Sequence, residues 1–184
     1  MLTLYILLGV LGGALLIWFV YEFNKFIVLK NKTDKALSNM DVFFQKRHDL
    51  VPNLVESVKG YMKHEQNLIQ EVTEARASAI ASKKGEKKAR AESKLGTAVG
   101  SLIAVSENYP EIKASQNFLD LTAQLSKIES EIADARQAYN DVATEFNTKR
   151  ESFPDSIAAF LMGLKKRTLF KASWLERKNV KVKF

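Results

Sequence analysis

RHDLVPNLVESVKGYMKHE, residues 47–65, sets a proline inside an otherwise helical pattern and carries both of the chain's histidines near its ends. Apolar residues enter and leave this stretch in one phase. The stripe reads Leu37, Met40, Phe44, Arg47, Val51, Leu54, Val58, Tyr61, Glu65, Leu68, Val72, Ala75, Ala79. Steps of three and four residues with eleven of thirteen positions apolar mark one face of a helix. A loop usually resets that phase, so the stretch reads as one helix kinked at Pro52. Such a proline removes the bond from residue 52 to the His48 carbonyl and costs about 3 kcal/mol in a straight helix. The competing reading begins a helix here, with Asp49 as cap and Pro52 in the first turn.

Outward from that stretch, the first body helix is expected to end near residues 78–85, SAIASKKG. A second runs from about Glu86 to Asn108 on a weak stripe of Ala89, Glu92, Gly96, Val99, Leu102 or Ile103, and Ser106. SENYPE breaks it, because Pro110 pushes Tyr109 out of helical geometry. A third helix starts near Ser115 on Phe118, Leu121, Leu125, Ile128, Ile132, Ala135, Tyr139, Val142 and Phe146, and stops at SFPDS. There Asp155 or Ser156 is placed to cap the next helix. Amphipathic helices joined by short turns make an antiparallel bundle of three to four members. The first helix is the longest, so it either overhangs its partners or breaks and folds back.

Ahead of the body, residues 2–21, LTLYILLGVLGGALLIWFVY, contain no charge. Twenty helical residues cover roughly 30 Å, the thickness of a bilayer's hydrocarbon core. A cleavable signal peptide would show a basic start, a shorter apolar run and a small-residue cleavage site, none of which is present. Lys25, Lys30, Lys32 and Lys35 follow the span and no basic side chain precedes it. That asymmetry predicts an inner (cytoplasmic) membrane protein of one pass, amino terminus outside and body cytoplasmic. Trp18 and Tyr21 suit an interfacial belt. Gly9 and Gly13 form a small-xxx-small pair through which two spans can approach.

The net charge of +7 is not spread evenly: basic and acidic residues balance through Leu164, and residues 165–184 carry the whole excess. Lys165, Lys166, Arg167, Lys171, Trp174, Arg177 and Lys178 are therefore the expected contacts to a polyanion, an anionic leaflet before a nucleic acid, for which no binding fold is evident. The apolar stretch IAAFLMGL at 157–164 suits both a helix lying in a headgroup layer and a fourth helix closing the bundle. On sequence the chain divides into an anchor (1–24), a helical body (25–154) and an amphipathic helix with a basic tail (155–184).

Catalytic groupings are missing. There is no cysteine, which excludes disulfides, thiolate metal sites and thiol nucleophiles. His48 and His64 lie sixteen apart, not at the i, i+4 spacing that puts two zinc ligands on one helix face. No G-x-S-x-G or phosphate-loop spacing occurs. No cofactor is expected. Arg47 and Glu65 are charged residues at seam positions; paired, they would fix the bundle's register, and unpaired they would snorkel to its edge. Arg136, Tyr139 and Asn140 suit a hydrogen-bond network inside the bundle.

RHDLVPNLVESVKGYMKHE, VTEARA, ENYPEIKASQNFLDL, IADARQAYNDVATEFNTK and the ESFP element together resemble the bacterial LemA family, in order and over nearly the whole chain after the span. That resemblance implies an amino-terminal membrane helix and a helical-bundle body, with no catalytic residues to carry over. Two functions are expected: a scaffold that self-associates as a homo-oligomer, or an accessory subunit of a membrane enzyme such as a protease.

Overall fold

The computed structural model describes residues 1–83 and 85–170, and among these it contains helices and no strand. The helices are α1 Leu2–Lys59, α2 Gln66–Ala81, α3 Gly85–Ser106, α4 Pro110–Lys113, α5 Gln116–Glu151 and α6 Asp155–Leu161. The fold is all-α, and two compact units divide it: Met1–Ser38 with Ala138–Arg167, and Asn39–Gln137 with 168–170 of the described residues. α1 and α5 each contribute to both.

α1 forms without interruption because no glycine occurs between Gly13 and Gly60, and Pro52 is its one proline. The helix passes through Pro52, so Asp49 starts nothing; the proline ring lies on the exposed side. The carbonyl that Pro52 leaves without an intrahelical donor belongs to His48. Arg76 of α2 supplies the donor, its Nε reaching that oxygen at 2.7 Å. A buried carbonyl without a partner would cost about 1–3 kcal/mol.

The first body helix does not run on to residues 78–85. It stops at Lys59, and α2 starts after a turn over residues 60–65. Gly60 weakens the helix there by about 1 kcal/mol relative to alanine. The Val58 carbonyl then accepts from the amides of Tyr61 and Met62, each at 3.0 Å. Met62 is fully buried at the tip, and residues 48 and 76 meet on either side of it, so α1 and α2 are antiparallel arms of a hairpin. Both arms bury apolar residues at helical spacing: Val51, Leu54 and Val58 on one, Val72, Ala75 and Ala79 on the other. The stripe therefore crosses the turn in phase, which is why sequence alone reads it as one helix.

α3 and α5 close this second unit with Leu95, Val99, Leu102, Phe118 and Leu125. α4 is a single turn with Pro110 in its first turn and Tyr109 extended before it (φ −110°, ψ 98°), as a pre-proline residue requires. Its Ile112 is fully buried.

In the first unit, α1 and α5 run antiparallel: Phe26 meets Phe146 edge to face at 6.1 Å, and Glu22 meets Lys149. α6 seats Ala158 and Ala159 on the same core. It is shorter than the apolar stretch that continues to Leu164 and Phe170. It ends at Leu161, Gly163 takes φ +62°, and residues 164–170 are non-helical. Asp155 and Ser156 do not cap it; the cap position is Pro154, and the Asp155 carboxylate turns to Lys149 instead.

Arg76→Leu should lower stability by about 1.5–3 kcal/mol, the range for a hydrogen bond from a charged donor. Combined with Pro52→Ala, which returns an amide to the His48 carbonyl, its cost should fall well below that. Denaturant titration of the full-length chain in detergent reads both, and equal losses in the two backgrounds would show that Arg76 does not serve this carbonyl.

Candidate functional site

Arg47 is the largest fully buried side chain among the described residues, at 1% exposure. A guanidinium cannot lose its charge in a protein, so it must find anions and acceptors where it sits. Two helices supply them. Nη2 donates to the Glu92 carboxylate at 2.7 Å and to the Glu92 carbonyl at 2.9 Å; Nη1 donates to Glu129 at 2.6 Å. The guanidinium carbon lies 5.6 Å from the centre of the Phe44 ring. Three helices, α1, α3 and α5, are thus joined at one side chain within the second unit.

Space for this arrangement comes from Gly96. A Cβ there would lie 3.0 Å from Arg47 Nη1 and 3.6 Å from Glu129 Oε2. The glycine on the weak α3 stripe is a clearance for charged side chains. On the other side, His48 Nε2 lies 3.2 and 3.1 Å from the two oxygens of Glu92. Burial alone would push the Glu92 carboxyl up. Hydrogen bonds from His48 and Arg47, reinforced by their charges, outweigh it and hold Glu92 below the ordinary carboxylate range.

A small cleft of about 170 Å³ reaches His48, Glu92, Lys88 and Asp41. Lys88 is already paired with Asp41 at 2.7 Å. Ser82 also lines the cleft, and its hydroxyl donates to the Ser78 carbonyl at 2.8 Å. Among the described residues no group of three or more His, Asp or Glu is placed to hold a metal ion. What this cluster does with its charges is pin helices to one another.

The first unit has a second pin. Glu22, buried just past the apolar span, pairs with Lys149 at 2.5 Å, and Lys149 reaches Asp155 at 2.8 Å. Burial pulls the Lys149 ammonium down, but bonds to Asp155 and Glu22 raise it above its usual value. α1, α5 and α6 therefore share one ammonium.

The other sequence-chosen residues are placed as follows. Glu65 lies in the α1–α2 turn rather than on a helix seam; its carboxylate stands near the Tyr109 hydroxyl and raises that hydroxyl's pKa. It joins the turn to the loop before α4, and it does not meet Arg47's partners. Gly9 and Gly13 have no atom within 4 Å of where a Cβ would stand. Lys165 is exposed. Lys166 pairs with Glu151 at 2.9 Å, holding that carboxyl below its usual range, and Arg167 pairs with Asp34 at 2.9 Å. The Asn147 side chain clasps the Arg167 backbone at both ends, through its amide at 2.7 Å and its carbonyl at 2.8 Å. Lys171, Trp174, Arg177 and Lys178 lie outside the described residues. Nothing in the sequence marks Glu129, Arg76 or Lys149 as a site residue, and Glu92 shows there only as an acid on the weak α3 stripe.

Arg47→Leu should cost about 3–5 kcal/mol, because it leaves Glu92 buried with His48 as its remaining partner. Arg47→Leu with Glu92→Leu should cost clearly less than the sum of the two single changes, and a strictly additive cycle by denaturant titration would show that the pair is not coupled. Since Glu92 is depressed in the fold, its contribution is present above the unfolded carboxylate value of about 4.3 and is lost as pH falls through the folded value. Melting followed from pH 7 to pH 3 should show a decline below that point that Glu92→Gln flattens.

The LemA family model matches residues 36–184. Relatives include Protein LemA of Metamycoplasma hominis, 28% identical over 167 residues, covering 89% of this chain and 76% of that protein. They also include Magnetosome protein MamQ 2 of Paramagnetospirillum magneticum, 25% identical over 175 residues and 81% of this chain, and Magnetosome protein MamQ of Magnetospirillum gryphiswaldense, 22% identical over the same length. The chain spans 64% of the length of these MamQ relatives. None of these names denotes a reaction. With the family's sequence pattern running through the α1–α2 hairpin, α3, α5 and α6, the chain belongs to the LemA family.

Proposed function

We propose that this protein is a non-enzymatic scaffold of the cytoplasmic membrane, anchored by residues 2–21 with its amino terminus outside, and that its copies associate to organise the membrane face or hold partner proteins there. The observation that carries this reading is how the chain spends its buried charge. Among the described residues the buried acidic and basic side chains are Glu22, Arg47, His48 and Glu92, and each lies in an ion pair or an imidazole–carboxylate contact. Catalytic acids and bases sit in clefts with a face toward substrate; Glu92 lines only a small cleft, and its carboxylate is engaged by Arg47 and His48.

The span supports the anchoring half of the reading. α1 is the one described helix long and apolar enough to cross a membrane, and none of its apolar window is buried against the rest of the chain. Space around Gly9, Gly12 and Gly13 leaves that face open for a second span.

The test is the size and shape of the full-length protein after mild detergent extraction, by single-particle imaging. A defined assembly of several copies is expected. Gly9→Leu with Gly13→Leu should shrink it without loss of helix, since neither side chain meets anything within its own chain. Monomers in both detergent and lipid would overturn self-association, and co-extraction of those monomers with a membrane enzyme would favour the accessory-subunit reading.

A further inference from the structure

The geometry points to a second membrane contact: the outer face of α6 lies in the interfacial layer of the same bilayer that α1 crosses, so that the chain stands on its span and on a short apolar foot beside it. This rests on the reading of residues 2–21 as a membrane span.

α6 has two faces of different character. Ala158 and Ala159 are buried on Phe26, Leu29 and Phe146. Ile157, Phe160 and Leu161, with Phe153 just ahead of the helix, point away from that core and are 48%, 85%, 65% and 83% exposed. Two phenylalanines left open next to a packed core need a cover of their own.

What covers them follows from where α6 is held. Glu22 stands one residue beyond the apolar run. It shares the Lys149 ammonium with Asp155, the first residue of α6. Trp18 and Phe19, near the end of the span, pack against the cluster that contains Ala158 and Ala159. The helix is therefore fixed, within one unit, at the level where α1 leaves the hydrocarbon. The polar layer there is roughly 5–7 Å deep on each side, and aromatic side chains favour it. A bilayer around residues 2–21 runs past α6, and lipid is the occupant the position supplies. The exposed Lys165 follows at the headgroup side, where a lysine stem reaches water or phosphate.

The chain has no cysteine, so one introduced thiol reports one place. Full-length protein with Phe160→Cys, carrying a nitroxide and reconstituted in phosphatidylcholine–phosphatidylglycerol vesicles, is compared with Leu11→Cys in the span and Ser130→Cys on the exposed face of α5. Collision with oxygen against a water-soluble nickel chelate gives depth. The inference expects position 160 to favour oxygen over the chelate at least several-fold more than position 130 does, at a depth shallower than position 11. Position 160 behaving like position 130, while position 11 reads as lipid-immersed, overturns the foot and leaves the span standing. Position 160 shielded from both reagents means protein covers it, and this too overturns the inference. If position 11 itself meets the chelate freely, the span reading fails and the foot fails with it.

Discussion

One guanidinium sets the terms for the second unit. Arg47 arrives on α1 at a position where an apolar residue would simply pack, and it cannot be discharged. Each helix that meets it must bring an oxygen or make room. α3 does both, with Glu92 and Gly96 one turn apart; α5 brings Glu129. Three helices thereby meet at one buried charge, and sliding any of them by a turn would strand it.

The lysine pin of the first unit applies the same logic just past the end of the apolar run. Glu22 looks, in sequence, like an acid of no consequence among lysines. Buried, it joins Lys149 and Asp155, so the end of α5 and the start of α6 are tied to the point where α1 leaves the apolar run. Both pins share a design in which the cation is central, the anions come from different helices, and aromatic rings stand beside it: Phe44 for Arg47 and Phe26 for Lys149.

Much of the architecture was legible in the sequence, for a reason that also explains what was not. Burial leaves a periodic trace, so the α5 seam from Phe118 to Phe146 could be read directly. A tight hairpin leaves no such trace when its arms keep phase, and Met62 at the tip is as apolar as a seam residue. Partners are harder still. Arg76 serves a main-chain oxygen, which no side-chain pattern announces. Glu129 is half exposed and reads as an ordinary surface acid. Asp155 sits where a cap belongs, and only the position of Lys149, six residues away, diverts it. Arg47 could be recognised as a charge in need of partners, but the turn at residues 60–65 changes which helices stand beside it.

Pro52 has a consequence for how the chain finds its fold. The link it makes possible, Arg76 to the His48 carbonyl, spans 28 residues, whereas the Arg47 contacts span 45 and 82. Closing the shorter loop costs less chain entropy, and local contacts form fastest. The hairpin of α1 and α2 is thus cheaper to close than the contacts Arg47 makes with α3 and α5. A residue that ordinarily ends a helix here leaves one acceptor open for the arm synthesised next, and so favours an order of assembly.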